Sequence, residues 1–322
     1  MPRHAQYSDD LLRMAATLYH VDGLGQNEVA NLVRVSQTKV SRLLAIALER
    51  GIVRISVEQY DPRDPGLESR LCARFGLRAA AVIKTAAHAT PEAARQTVGH
   101  FGAPFVAALL PQSGVVALGG GRSVAEVVQR LRRGLPRRLT VVQAMGSIAS
   151  TLSPVDALEQ GRALVNLWGG EFLTLSTPAF APDRRTRDSF LGSEQIRSVF
   201  QRLRQADAAL VGVGPLEQTV YLERGVFNAA DVAHLRSCGA VGEICGRFFH
   251  AQGRECVSRW RHRAISIELD HLRRIPCVIG VAAGADRAPA VAAALRGGWL
   301  KALLTDQRAA EALLAMPATR GG

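Results

Sequence analysis

The chain has 322 residues, of which 48% are hydrophobic, so it can bury more than one core and is not a disordered protein. Its formal charge is +12, from 40 basic and 28 acidic residues, but only three of the basic ones are lysines (Lys39, Lys84, Lys301). Such a balance favours anionic partners without choosing between DNA and phosphorylated metabolites.

In chain order, the first pattern is an amphipathic helix carrying Leu11, Leu12, Ala15, Ala16, Leu18 and Tyr19. A second, short helix begins near Gln26 and turns Val29, Ala30 and Val33 inward. Val35 fills the turn that follows, and Ser36 is a suitable N-cap because its hydroxyl accepts from a free amide of the next helix. Val40, Leu43 and Leu44 then repeat at i, i+3, i+4 and give that helix one buried stripe. Its other face offers Gln37, Thr38, Lys39, Ser41 and Arg42, the amides, hydroxyls and cations that read base edges and hold phosphates. Gly51 ends the helix, and residues 52–57 alternate like a strand, the wing of a winged helix-turn-helix. An ordinary small bundle would show the same stripes, and overall charge does not separate the two. Residues 1–60 hold seven basic residues against six acidic ones, a net charge of only +1. The clustering of Arg34, Lys39 and Arg42 on the expected recognition face favours double-stranded DNA as the partner.

Two prolines and a glycine break the pattern between Tyr60 and Gly66. The expected organisation is therefore an all-α, winged helix-turn-helix DNA-binding domain at residues 1–59, a linker at 60–66 and a large effector-binding and oligomerisation domain at 67–322. Within the latter, helices are expected at 67–75, 91–110, 123–133, 156–167, 193–205, 289–296 and 307–316. Strands are expected at 79–83, 114–118, 139–143, 172–175, 208–213, 277–282 and 302–305. Short apolar runs alternating with amphipathic helices predict an α/β, Rossmann-like fold with a parallel sheet covered on both faces. Five scattered cysteines without a Cys-x-x-Cys pair and eight histidines in no ligand pattern argue against a disulfide framework or a metal site. No run of about 18 apolar residues is present and residues 1–10 lack an apolar signal core, so no membrane partner and a cytoplasmic location are expected.

Ligands of open α/β sheets bind beyond the carboxyl ends of the strands, and three glycine-bearing loops fall there. In the first, Gly119, Gly120 and Gly121 follow a strand and lead to Arg122 and Ser123 at a helix start, a pattern that suits an anionic group such as a phosphate. The second carries Gly214, and the third runs from Gly284 to Arg287. None is a nucleotide-hydrolysing P-loop, and none gives a full dinucleotide fingerprint, so no cofactor is expected.

Two longer runs carry a resemblance. IPCVIGVAAGADRAPAVAAALRGGWLKALLTD over residues 275–306 is similar to a family pattern close to VIGVAGGxxKxxAIxAALRGGxxxxLITD. GAVGEICGRFFHAQG over residues 239–253 is similar to GAVGDIxGRYFDxxG. With Asn27, Ser36, Val40, Ser41 and Arg42 in the helix-turn-helix, the chain resembles over almost its whole length the SorC family of bacterial transcription regulators. That family includes central glycolytic gene repressors and deoxyribonucleoside and sugar-alcohol regulators. The resemblance implies an effector domain with the fold of sugar-phosphate isomerases, lacking isomerase activity and binding a phosphorylated sugar. It places the phosphate-binding loop on residues 119–123 and the basic position after the Gly-Gly pair on Arg287. Two positions depart from the pattern: the usual Lys is Arg287, and the usual Asp after the aromatic pair is His250.

The expected function is a DNA-binding regulator, not an enzyme, of a carbohydrate-metabolism operon. A sugar phosphate would contact residues 119–123, Gly214, Glu243, Gly284 and Arg287, and a symmetric dimer or tetramer would sit on a palindromic operator. The rival is a sugar-phosphate isomerase or deacylase with an accessory DNA-binding module, for which Glu243, Asp207 or Asp286 would have to act as the proton-transfer base. A sensor of an unphosphorylated ligand is a third possibility.

Overall fold

A computed structural model describes residues 7–56, 58, 60–148, 153–217 and 219–317. The chain divides into two compact units, residues 1–61 and 62–322.

In the first unit, Ser8 caps helix α1 (Asp9–Ala16), accepting from the Leu11 amide at 3.3 Å, and the chain continues through one wide turn, Thr17–Val21. Helices α2 (Gln26–Leu32) and α3 (Gln37–Glu49) follow. Leu12, Ala15, Val29, Ala30, Val40, Leu43, Leu44 and Ala47 close a three-helix core, matching the stripes expected from the sequence. The tight turn between α2 and α3 holds Arg34 at φ 51°, a left-handed conformation that costs a non-glycine residue about 1 kcal/mol or more. Among the described residues the wing strand is not formed. Residues 51–56 are turn and coil, and Val57 lies outside the described residues. Instead, the Val53 amide donates to Ala47 O at 3.1 Å, and Ile52 and Val53 pack half-buried against the three-helix core. The alternation thus served packing at the end of α3, and no described strand lies alongside to pair with it.

The second unit opens with α4 (Pro65–Phe75), capped by Asp64, and β1 (Ala79–Ile83). Next come α5 (Pro91–Leu109), β2 (Ser113–Leu118), α6 (Arg122–Val128) and β3 (Arg138–Gln143). They are followed by α7 (Ala157–Trp168), β4 (Glu171–Leu173), α8 (Arg184–Gly192), α9 (Glu194–Leu203) and β5 (Ala208–Gly212). A short segment β6 (Gly214–Pro215) precedes α10 (Val220–Glu223), α11 (Ala229–Ser237), β7 (Ala240–Ile244) and β8 (Arg247–His250). The chain then runs through α12 (Leu269–Arg274), β9 (Cys277–Val281), α13 (Ala288–Arg296), β10 (Ala302–Asp306) and α14 (Gln307–Ala315).

Seven strands pair in the order β1-β10-β9-β5-β2-β3-β4, every contact parallel, and apolar clusters cover both faces as the near-continuous apolar runs require. Helix α6 is shorter than expected because Leu131 shares its amide between Val127 and Val128 carbonyls, a tight finish ahead of Gly134 and Pro136. Strand β4 stops at Leu173, since the Leu175 amide donates to the side chain of Gln143 at 2.9 Å instead of to a ladder. Beyond expectation, β6, β7 and β8 form a separate antiparallel sheet.

Candidate effector site

The parallel sheet brings the carboxyl ends of β2, β5 and β9 together, and β7 approaches them from the second sheet. A pocket there is lined by Gly120, Gly121, Arg122, Ser123, Gly212, Gly214, Glu243 and Arg287, joined by Met145, Ile148, Val213, Thr219, Val220, Tyr221, Cys245 and Val281. All three glycine-bearing loops thus contribute. Of the expected residues, Gly119 and Gly284 stand just behind the lining. Gly119 donates its amide to Leu210 O at 2.9 Å, and a Cβ on it would lie 2.8 Å from Cys245 Sγ. The Gly284 amide donates to the carboxylate of Asp306.

The loop after β2 needs its glycines for two different reasons. A Cβ on Gly120 would come within 2.9 Å of Val155 O and 3.0 Å of the Ala157 amide, while Gly121 has φ 124°, open to glycine alone. Arg122 then starts α6 and pairs with Glu223 of α10 at 2.8 Å. Arg287 lies at the bottom of the third loop, only 6% exposed, with its Nε donating to Ala283 O at 2.8 Å. Burial pulls its pKa below the ordinary guanidinium value; Asp286 opposes that pull, and the neighbouring cations Arg122 and Arg95 add to it. No carboxylate is within ion-pair distance of Arg287 among the described residues. Its substitution for the family's Lys puts a fork of donors, not a point charge, at the pocket floor.

Opposite these cations stands Glu243 on β7. Its Oε2 accepts from the Gly246 amide at 2.9 Å and from the Tyr221 hydroxyl at 3.2 Å. Burial raises its pKa to about 7, against the pull of those two hydrogen bonds and of Arg287. The same burial pushes the Tyr221 phenol and the Cys245 thiol up, so both are neutral. Cys245 (φ 50°) and Gly246 (φ 74°) form the two-residue turn between β7 and β8, with both residues left-handed as a type I′ hairpin turn requires.

Sequence reasoning missed the apolar wall of Met145, Ile148, Val220 and Tyr221. These residues lie on irregular segments and on a four-residue helix that no periodicity marks. It also missed Arg95 on α5, whose charge acts on both Arg122 and Arg287. His250 stays away from the pocket: it ends β8, donates its amide to Arg254 O at 2.8 Å and stands against Gly239. Of the three carboxylates weighed as a catalytic base, only Glu243 lines the pocket. Asp207 accepts from the Val115 amide at 2.8 Å at the amino end of β5, and Asp286 is exposed. Among the described residues, no group of three His, Cys, Asp or Glu could hold a metal ion, and no helix is long and apolar enough to cross a membrane.

In the first unit, Asn27, Ser36, Gln37, Thr38, Lys39, Ser41 and Arg42 are all exposed, the last five along one side of α3. Ser36 Oγ accepts from the Lys39 amide at 3.2 Å, the N-cap anticipated from sequence. Gln37 Nε2 donates to Gln26 Oε1 at 2.7 Å, which ties the start of α3 to the start of α2.

A parallel α/β sheet with an anion-suited pocket at its strand ends, preceded by a helical unit with a polar third helix, is the plan of a ligand-responsive regulator. Residues 63–315 match the family model described as "Putative sugar-binding domain". The chain belongs to this family, that of the SorC-type sugar-binding transcriptional regulators. It is 30% identical over 308 residues to the deoxyribonucleoside regulator of Bacillus subtilis (93% of this chain, 96% of that one). It is 28% identical over 325 residues to the erythritol catabolism regulatory protein EryD of Brucella abortus (97% and 99%). The full-length sorbitol operon regulator SorC of Klebsiella pneumoniae superposes with a TM-score of 0.76 at 25% identity, covering 96% of this chain and 99% of that one.

Proposed function

We propose that this protein is a transcriptional regulator of a carbohydrate-metabolism operon whose DNA binding responds to a phosphorylated sugar or sugar alcohol. The observation that carries this reading is the convergence of Arg122, Ser123 and the buried Arg287 on one pocket. With no carboxylate within ion-pair distance among the described residues, a guanidinium so buried is costly unless an anion joins it, and a phosphate provides the charge and several acceptors. The apolar wall and Glu243 then face the carbon skeleton and hydroxyls of the ligand. Regulation follows if the ligand binds two arrangements of a symmetric dimer or tetramer with different affinity. On the DNA side, α3 enters the major groove, with Gln37 and Arg42 toward base edges and Thr38, Lys39 and Ser41 toward phosphates.

Arg122→Ala and Arg287→Ala test the pocket. Each is expected to abolish the response to a sugar phosphate while leaving operator binding in place, read by fluorescence anisotropy of labelled operator DNA. A normal response in both variants overturns the assignment. Glu243, buried and titrating near neutrality, is the one observation that favours the enzyme reading. Turnover of sugar phosphates by the wild type that Glu243→Gln removes would establish that reading instead.

A further inference from the structure

The ion pair between Arg122 and Glu223 crosses the rim of the pocket, from the start of α6 to the end of α10. Arg122 lines the pocket, and α10 supplies Val220 and Tyr221 to its opposite wall. We propose that Glu223 competes with the ligand's anionic group for Arg122, so that anion binding exchanges one carboxylate partner for the ligand and frees the Glu223 side chain. This rests on the reading of the pocket as an anion seat.

Three features support the exchange. First, the pair is easily broken: the Arg122 and Glu223 side chains are 29% and 51% exposed, and half-exposed pairs hold weakly. Second, the exchange asks for no movement of the core. Tyr221 stays buried among Phe180, Phe227 and Phe248 and Arg224 keeps its ion pair with Asp156 at 3.6 Å, so α10 holds its place while the half-exposed Glu223 side chain turns to solvent. Third, the cations outnumber what Glu223 can serve. Arg95 and Arg287 both act electrostatically on the Arg122 region, yet Glu223 makes its ion pair with Arg122 and none with Arg287 among the described residues. Of the other acids that act on Arg95, Glu92 lies three residues before it on α5, and Glu126 is already paired with Arg130.

The exchange also selects ligands. A ligand carboxylate would replace Glu223 with another carboxylate and gain little. A phosphate monoester, carrying two charges and three terminal oxygens, can hold Arg122 and still reach Arg287. Glu223 therefore sets a threshold that admits phosphate esters and turns away sugar acids.

The test compares wild type, Glu223→Gln and Arg287→Ala in calorimetric titrations with inorganic phosphate and, separately, acetate. Glu223→Gln should bind phosphate about two- to fivefold tighter than wild type, the span set by a half-exposed ion pair. It should also narrow the preference for phosphate over acetate. Unchanged or weaker phosphate binding by Glu223→Gln overturns the proposal; if Arg287→Ala still abolishes binding in that case, the anion seat stands without the latch. No phosphate binding by the wild type overturns both.

Discussion

Glu243→Gln asks whether burial, and not some other feature of the pocket, governs the chemistry of its one lining carboxyl. In the fold this group titrates at about 7, against an ordinary value of 4.5. A carboxyl raised in this way favours the protonated fold. Its contribution to stability is complete below the unfolded value and is lost as pH rises through the folded one. At 1.36 kcal/mol per unit, the part of that loss falling between pH 5 and pH 8 is roughly 2 to 3 kcal/mol. Glutamine keeps the length of the side chain and an acceptor for the Gly246 amide and the Tyr221 hydroxyl, but it cannot ionise. The assay is urea unfolding at several pH values followed by tryptophan emission. Trp168, Trp260 and Trp299 all belong to the larger unit, so the signal reports the unit that contains the pocket. Between pH 5 and pH 8 the wild type should lose roughly 2 to 3 kcal/mol more stability than Glu243→Gln. Parallel pH profiles for the two proteins would refute the argument, because the buried carboxyl would then not be the titrating group.

In the first unit, Arg34→Gly relieves the left-handed strain at φ 51° and should stabilise that unit by about 1 kcal/mol, read by its thermal melt in circular dichroism. A lower melting point would show that the Arg34 side chain contributes more than its backbone costs. Gln37→Ala and Arg42→Ala leave the buried stripe of α3 intact and should weaken specific operator binding by about 1 to 3 kcal/mol each, with relaxed base preference at the position each one contacts. Unchanged affinity and preference in both variants would remove α3 from the groove. Gln37 carries a further expectation: because its amide donates to Gln26, Gln26→Ala should disturb operator binding as well, though less than Gln37→Ala does.

Much of this molecule was legible because its elements obey simple periods. The stripes of α1, α2 and α3, the apolar runs of β1, β2, β3, β9 and β10 and the amphipathic helices between them follow from spacing alone. Strands buried on both faces of a parallel sheet are written as continuous apolar runs, and the glycines at their carboxyl ends mark the loops that line the pocket. No wing strand forms among the described residues, where alternation at 52–56 is equally the signature of a segment that folds back on its helix, with Ile52 and Val53 turned to the core. The antiparallel β7–β8 hairpin escaped because Cys245-Gly246 is an uncommon pair for a type I′ turn, where asparagine or aspartate before glycine is the usual signal. Within the site, the cations on loops were visible one by one, but the partnership of Arg122 with Glu223 joins residues 101 positions apart and has no local trace. Arg95 was hidden for the same reason: on α5 it reads as a solvated charge, and only the packing of α5 against α6 brings it near Arg122.

The central claim is that a phosphorylated sugar acting on the pocket of the larger unit changes operator binding by the first. Fluorescence anisotropy of the full-length protein on labelled DNA from upstream of its own gene, titrated with sugar phosphates and with the matching unphosphorylated sugars, tests it most directly. The account predicts that one phosphate ester shifts the DNA-binding curve and that its dephosphorylated counterpart does not. A shift produced equally by the free sugar, or tight DNA binding that no phosphate ester perturbs, would contradict it.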